Sequence, residues 1–228
     1  RLRETFPGIL AAGEAAAARV AGRADGTPLD FEPEASHAAA DAIFRTLFSI
    51  PIEDATAGAV FDAFRAHQRT QPILNLGAFL PLPGWFPSLH RRRTKATARE
   101  IRRLIARLTR ARAEAIAEGV APDDLATKIM TTRDPVTGEA FAWEEMVDQV
   151  AIFFLAGHET SASALAWTVW LLAANPDWQE RAAAEARGFD GTFSGIGRLR
   201  VCRDVFREAL RLYPPVPMMV REAACPQE

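Results

Sequence analysis

The sequence has 228 residues, of which 49% are apolar, and this is enough to bury the core of one large domain or two small ones. Its net charge of −2 argues against a general nucleic-acid-binding protein. The two cysteines, Cys202 and Cys225, form neither a disulfide framework nor a CxxC metal motif, and they predict a reducing, cytoplasmic location.

Helical patterns fill most of the first 70 residues. Leu2–Val20 is rich in Ala and predicts a helix that ends in the loop Gly22–Pro28. Pro33 opens a second helix that runs through Phe48, and Ile52–Thr70 is a third, weaker candidate. Gln71–Pro87 contains four prolines and two glycines, so it cannot form a regular element.

A long amphipathic helix is predicted over Ser88–Glu118. Its apolar face consists of Ile101, Leu104, Ile105, Leu108 and Ile116. Its other face is strongly basic, and a solvated surface is the main interpretation, with an anionic partner as the alternative. The basic residues are Arg91, Arg92, Arg93, Lys95, Arg99, Arg102, Arg103, Arg107, Arg110 and Arg112.

The central element is a helix predicted over Glu144–Asn175, after a short helix at Asp123–Met130 and a turn at Asp134–Gly138. A polar island, Gly157–Ser161, interrupts its apolar sequence, and this argues against a membrane span. The alternative is a helix that is buried nearly all round. Polar groups buried at that depth need partners, so we expect the island to face something that uses it.

The last part of the chain is also helical. Asn175 is predicted to cap a helix that has Pro176 at its first position and runs to about Arg187. Gly188–Gly197 reads as a glycine-rich loop without a phosphate-binding pattern. Arg200–Tyr213 forms a final helix that the following prolines end. No strand ladder is evident, so the fold class is mainly α.

Two common catalytic motifs are excluded. His158 and Glu159 begin an HExxH zinc motif, but the second histidine would have to stand at position 162, which is Ala162. No GxSxG hydrolase motif occurs. Glu208 and Arg211 are spaced to form an ion pair on one helix face, and such a pair followed by a proline-rich turn is uncommon.

Two segments together resemble the cytochrome P450 haem-thiolate monooxygenases. Ala156–Ser161 matches the family pattern A-G-x-[DE]-T-[ST], and Glu208–Arg211 matches E-x-x-R about 50 residues later. The resemblance implies that residues 1–228 are a single partial domain, the helical core of the P450 fold, incomplete at both ends. It would run from after the family's third major helix to the strand that follows the E-x-x-R helix. The apolar loop around Leu80–Pro87 resembles the family's substrate-access lid.

Physical chemistry offers a reason for three residues of the first motif. Gly157 has no side chain, so a flat macrocycle can approach the helix and the helix can widen locally. Thr160 can donate its hydroxyl proton to the carbonyl oxygen of Ala156, four residues back, which would leave a groove beside that turn. Glu159 is a carboxylate that can relay protons from solvent.

The resemblance also implies site residues. Glu159 and Thr160 would be catalytic, supporting the protonation of dioxygen, and Glu208 and Arg211 would form a structural ion pair behind the haem. Haem would contact Ala156, Gly157, Thr160 and Arg221. The residues expected to line the substrate pocket are Ile152, Phe153, Val216, Met218 and Met219.

The family's iron ligand, a cysteine in F-x-x-G-x-x-x-C-x-G, has no match in this sequence, so no metal-ligating residue is predicted. Cys225 is followed by Pro226, and Cys202 is expected to be a packed helix residue. The resemblance implies a small apolar organic substrate and electrons from NAD(P)H through a ferredoxin or flavoprotein reductase, with no nucleic acid and no membrane. One hypothesis is a P450 monooxygenase that is inactive as this chain alone. The other is a non-catalytic helical remnant or binding module.

Overall fold

The computed structural model describes residues 2–70 and 92–218. Within these ranges there is no β-strand, and the only β-bridge is an isolated pair, Arg133 and Ala140. The prediction of a mainly α-helical fold is therefore confirmed. The α-helices are α1 (Leu2–Ala21), α2 (Glu32–Phe48), α3 (Ala55–Gln68), α4 (Arg92–Ala117), α5 (Leu125–Thr131), α6 (Trp143–Ala174), α7 (Pro176–Arg187) and α8 (Arg200–Leu212).

Most predicted helix limits agree with the structure within a few residues, and the exceptions occur in the loops. The glycine-rich segment Gly188–Gly197 is not wholly irregular, because a short 3₁₀ helix spans Ser194–Arg198. The predicted access lid around Leu80–Pro87 lies outside the described residues. The resemblance led us to expect a strand after α8. The described part of the chain ends at Met218, and no strand occurs between α8 and that residue.

Asn175 is the N-cap residue of α7, as predicted, but its side chain does not perform the capping. Its side chain makes no capping hydrogen bond to α7, and its Nδ2 instead donates to the carbonyl oxygen of Leu171 at 2.8 Å. The last carbonyl groups of a helix lack partners within the helix, and the Asn175 amide satisfies one of these at the end of α6. Pro176 does stand at the start of α7, as predicted.

The chain divides into two compact units, one made from residues 1–42 and 156–228 and the other from 43–155. The core of the 43–155 unit contains a cluster of three buried aromatic rings. The ring centroid of Phe154 lies 4.9 Å from that of Phe44 and 5.8 Å from that of Phe64. Such rings remove large apolar areas from water, and they fix this part of α6 within its unit.

Arg112 belongs to this core and not to the basic surface of α4, where its charge suggested it would lie. Its side chain is 8% exposed, and its Nη1 lies 2.7 Å from Oδ2 of Asp124. Its Nη2 donates to the carbonyl oxygen of Phe48 at 2.5 Å. The buried charge is thus both paired and hydrogen-bonded, as a buried guanidinium must be.

In the unit of residues 1–42 and 156–228, α7 holds the start of α8. The carboxylate of Glu185 accepts hydrogen bonds from the backbone N–H groups of Val201 and Cys202 at 3.0 and 2.9 Å. Partial burial raises the pKa of Glu185, but these hydrogen bonds outweigh it and the pKa lies below its ordinary value. The first N–H groups of α8 are therefore satisfied by a side chain of the preceding helix.

Candidate functional site

The candidate site begins on α6 at Thr160. Its Oγ1 donates to the carbonyl oxygen of Ala156 at 2.7 Å, which is the hydrogen bond that the sequence predicted. Thr168 makes the same bond to Ala164 at 2.6 Å, but Thr168 is buried, whereas Thr160 is partly exposed. The bond is therefore not distinctive in itself. What distinguishes Thr160 is that a molecule outside the helix can reach its hydroxyl.

The polar island is not buried as a whole, contrary to the prediction. Glu159 and Ser161 are exposed, and only His158 is fully buried, at 0% exposure. The buried side chains of α6 lie on one side of the helix, which we call the buried stripe. Five of them are spaced four residues apart, at Met146, Val150, Phe154, His158 and Ala162, and the others are Val147, Ala164 and Thr168.

His158 connects α6 to α2 within one unit. Its Nε2 lies 3.0 Å from Oγ of Ser36 and 3.1 Å from the carbonyl oxygen of Ser36, whose side chain is also buried. Sequence reasoning missed this contact because 122 residues separate the partners. The available signal was the position of His158 on the buried stripe, which requires a polar partner. The contact fixes the rotation of α6 about its axis at His158, directly before Glu159 and Thr160.

The positions predicted to contact haem have small side chains. Ala156 is exposed and Gly157 partly exposed, so these two positions present one methyl group and backbone to their surroundings. A flat, largely apolar macrocycle can lie against such a surface, and these residues therefore fit the cofactor that the resemblance implies. Arg221 lies outside the described residues.

The predicted substrate-lining residues that the structure describes are apolar and exposed. Ile152 is 55% and Phe153 45% exposed in the 43–155 unit, and Val216 is 58% and Met218 75% exposed in the other. The prediction that α6 is buried nearly all round is therefore wrong for this chain. Met219 lies outside the described residues, and the pocket itself stays a prediction.

Glu208 and Arg211 form the predicted ion pair. Arg211 donates from Nε to Oε2 of Glu208 at 2.8 Å and from Nη2 to Oε1 at 2.6 Å, a bidentate arrangement. Hydrogen bonding by Arg211 lowers the pKa of Glu208. The side chains are 53% and 68% exposed, so in this structure the pair lies at the surface.

An aromatic cluster that the sequence did not reveal lies beside this pair. The ring of Tyr213, which follows α8, stacks on Trp167 of α6 with centroids 3.9 Å apart and planes 5° from parallel. Trp170 meets Trp167 edge to face at 5.6 Å. The cluster attaches the end of the Glu208–Arg211 helix to α6. The spacing of the two tryptophans and the aromatic residue just after α8 were the signals available.

Cys202 has the environment of a structural thiol. It is half-buried in α8, and its Sγ lies 3.6 Å from the carbonyl oxygen of Ala182. Burial, together with the neighbouring Glu185, raises the pKa of the thiol. Cys202 therefore stays protonated at neutral pH, and a thiol in this state is a poor metal ligand. Cys225 lies outside the described residues.

No cluster of three or more His, Cys, Asp or Glu side chains that could hold a metal ion occurs in residues 2–70 and 92–218. None of the described helices combines the length and apolar character required to cross a membrane.

Comparison with known proteins gives consistent matches. The family model described as Cytochrome P450 matches residues 11–228. The chain is 35% identical over 193 residues to a cyclooctat-9-en-7-ol 5-monooxygenase of Streptomyces melanosporofaciens, covering 81% of this chain and 40% of that protein. It is 31% identical over 206 residues to an 11-oxo-beta-amyrin 30-oxidase of Glycyrrhiza uralensis, covering 84% and 38%.

Solved structures agree with these relatives on the fold. A retinoic acid-bound cyanobacterial CYP120A1 superposes with a TM-score of 0.72 at 20% identity, covering 94% of this chain and 46% of that one. The haem domain of a cytochrome P450DA gives a TM-score of 0.70 at 22% identity, covering 92% and 46%. This chain thus spans less than half the length of each of these proteins.

Proposed function

This chain belongs to the cytochrome P450 family, and from that premise we propose that it supplies the dioxygen-side helix and the E-x-x-R helix of a haem monooxygenase. The reaction would insert one oxygen atom of dioxygen into a small apolar organic substrate. Haem, when bound, supplies the redox chemistry that activates dioxygen. The observation that carries the proposal is the partly exposed Thr160, whose hydroxyl is held by the carbonyl of Ala156 beside the small residues Ala156 and Gly157.

Haem would lie against Ala156, Gly157 and Thr160, and Arg221 would pair with one of its propionate groups. The small side chains at positions 156 and 157 support this assignment, because larger ones would hold a flat ring away from the helix. Glu208 and Arg211 would support the fold behind the haem and would take no part in the chemistry.

Thr160 would deliver or hold a proton at its Oγ1. The oxygen keeps lone pairs available while its hydroxyl donates a hydrogen bond to the carbonyl of Ala156. Rotation of the side chain breaks this hydrogen bond at a net cost of about 0.5–1.5 kcal/mol, and the hydroxyl can then donate elsewhere. Glu159 is exposed, so its carboxylate can exchange protons with solvent and resupply the neighbouring hydroxyl.

The substrate would be apolar because the positions assigned to it are apolar. Ile152, Phe153, Val216, Met218 and Met219 offer no charged group, and apolar contact is what a hydrocarbon-like ligand requires. The two named relatives are a monooxygenase of cyclooctat-9-en-7-ol and an oxidase of 11-oxo-beta-amyrin, which supports an organic substrate of low polarity. NAD(P)H would supply electrons through a ferredoxin or flavoprotein reductase in the cytoplasm.

The test is Thr160→Ala in a haem-loaded protein that contains this chain. We expect product formed per NAD(P)H consumed to fall and peroxide release to rise, because the proton donor at the site is lost. Thr168→Ala is the matched control, since it removes the same hydroxyl-to-carbonyl bond at a buried position of the same helix. Unchanged coupling in Thr160→Ala, or equal uncoupling in both variants, would refute the role of Thr160.

We also propose that the 228 residues alone do not form a thiolate-ligated haem. The raised pKa of Cys202 and the absence of the family's cysteine motif support this. Reduced under carbon monoxide after addition of haem, the chain should give no thiolate-type red-shifted Soret band. Such a band would mean that Cys202 or Cys225 reaches the iron.

A further inference from the structure

The outer surface of α4 carries a continuous line of positive charge. Its buried residues Ile101, Leu104, Ile105 and Leu108 lie on one side of the helix. At 100° per residue, six exposed basic side chains fall on the opposite side within an arc of about 120°. We call this line the basic ridge, and it consists of Arg92, Lys95, Arg99, Arg103, Arg107 and Arg110.

The charge of the ridge is local. Helix α4 contains nine Lys and Arg residues and only two acidic residues, although the whole chain has a net charge of −2. Basic and acidic residues are therefore separated within the molecule. Such separation produces a directed positive potential even in a protein with a low net charge.

Few of these charges are neutralised within the protein. Glu100 pairs with Arg103 at 2.5 Å, and Asp148 pairs with Arg102 beside the ridge. Among the residues that the structure describes, no carboxylate forms an ion pair with Arg92, Lys95, Arg99 or Arg107. The 21 residues before α4, positions 71–91, contain no Asp or Glu. At least four cations are left for an external anion.

We infer that the basic ridge binds the surface of an anionic phospholipid membrane. One helix presents the ridge along a line of roughly 27 Å between Arg92 and Arg110. The four head groups without an ion pair or ring contact, those of Arg92, Lys95, Arg99 and Arg107, can therefore reach one flat charged surface together. Each Lys or Arg close to such a surface strengthens binding about fivefold at moderate ionic strength. The contact is peripheral and reversible, and it needs no membrane-spanning helix.

Other anionic partners fit less well. Helix α4 contains no aromatic residue on which bases of a single-stranded nucleic acid could stack, and the ring of Trp143 beside the ridge is already covered by the Arg110 guanidinium, 5.6 Å from its centroid. A stable protein interface buries an apolar centre, whereas between the ridge cations α4 presents small side chains such as Ala96 and Ala106. A lipid surface requires only charge density and flatness.

The inference goes beyond the proposed monooxygenase and does not depend on it. It would nevertheless suit that function, because apolar substrates accumulate in membranes. Failure of either proposal leaves the other intact, since membrane binding is measured here without haem, electrons or substrate.

The test is cosedimentation of the 228-residue chain with vesicles of phosphatidylglycerol and phosphatidylcholine, compared with phosphatidylcholine alone. We expect binding only to the anionic vesicles, with an affinity that falls as salt is added. Replacing four ridge residues by Gln should weaken binding on the order of a few hundredfold. That variant carries Arg92→Gln, Lys95→Gln, Arg99→Gln and Arg107→Gln.

A matched control removes four exposed arginines from α7 and α8, where acidic residues are interspersed. It carries Arg181→Gln, Arg187→Gln, Arg203→Gln and Arg207→Gln, and far-UV circular dichroism verifies that both variants are folded. Equal binding to neutral vesicles, or equal loss in the control, would overturn the inference, and so would tighter binding to duplex DNA than to anionic vesicles. Loss confined to the ridge variant would establish it.

Discussion

The contact between His158 and Ser36 makes a quantitative prediction about stability. Their side chains are 0% and 3% exposed, so each polar group relies on protein partners. Replacing His158 by Phe keeps the approximate size of the ring and leaves the Oγ and carbonyl oxygen of Ser36 without Nε2. A buried polar group that loses its partner costs about 1–3 kcal/mol.

Ser36→Ala is the complementary change. It removes Oγ but keeps the carbonyl oxygen 3.1 Å from Nε2, so the expected loss is smaller, about 0.5–1.5 kcal/mol. Thermal unfolding of the chain measures both variants, and for a protein of this size each kcal/mol corresponds to about 2–4 °C in Tm. Near-UV circular dichroism would verify that the aromatic residues of α6 keep their packing.

The double variant isolates the contact from everything else that each side chain does. If Ser36 and His158 interact directly, the loss in Ser36→Ala/His158→Phe is smaller than the sum of the single losses by about 0.5–1.5 kcal/mol. Additivity within about 0.3 kcal/mol would refute a direct contact and, with it, the account of how α6 is oriented beside Thr160.

Three further predictions concern charged groups. Arg112→Met should lower the free energy of unfolding in urea by about 3–5 kcal/mol because it leaves the charge of Asp124 buried and unpaired. Arg102→Met, which breaks an exposed pair, should cost about 0–1 kcal/mol. Equal losses would contradict the burial of Arg112. Hydrogen bonds from Thr192 and Arg198 lower the pKa of Asp190 from 3.8 to about 2. Its contribution to the free energy of unfolding should therefore be complete above about pH 4 and lost toward pH 2. The acid limb of a Tm-versus-pH curve should flatten in Asp190→Asn, and an unchanged acid limb would contradict this. Glu208→Ala should hardly change the Tm of this chain, where the Glu208–Arg211 pair is exposed. The same change should abolish haem loading of a protein that contains this chain, and normal loading would refute the structural role of the pair.

Local interactions were predictable because they follow from spacing along one helix. The Thr160 bond to Ala156 and the Glu208–Arg211 pair each join residues three or four positions apart, where helix geometry brings side chains together. The paired motifs also sufficed to indicate the family, and with it the mainly α fold. Contacts between distant segments, such as Ser36 with His158 and Trp167 with Tyr213, leave no comparable mark in a sequence.

Two errors arose because residue type outweighed position. Arg112 was assigned to the basic face by its charge, although it lies four residues after Leu108 on the apolar stripe of α4. The side chain of Asn175 was expected to cap α7 because of its propensity, although its amide can also donate to the last carbonyl groups of α6, as it does to Leu171. In both places helix geometry favoured the outcome that the structure has.

The stack of Tyr213 on Trp167 gives the chain an optical reporter. Tyr213 is the only tyrosine in the sequence, and at a centroid separation of 3.9 Å its excitation energy passes to the indole before it can be emitted. The folded chain should therefore fluoresce as though it contained tryptophan alone. Tyrosine emission would appear when the end of α8 leaves α6, so release of the E-x-x-R helix can be followed as a separate event during unfolding.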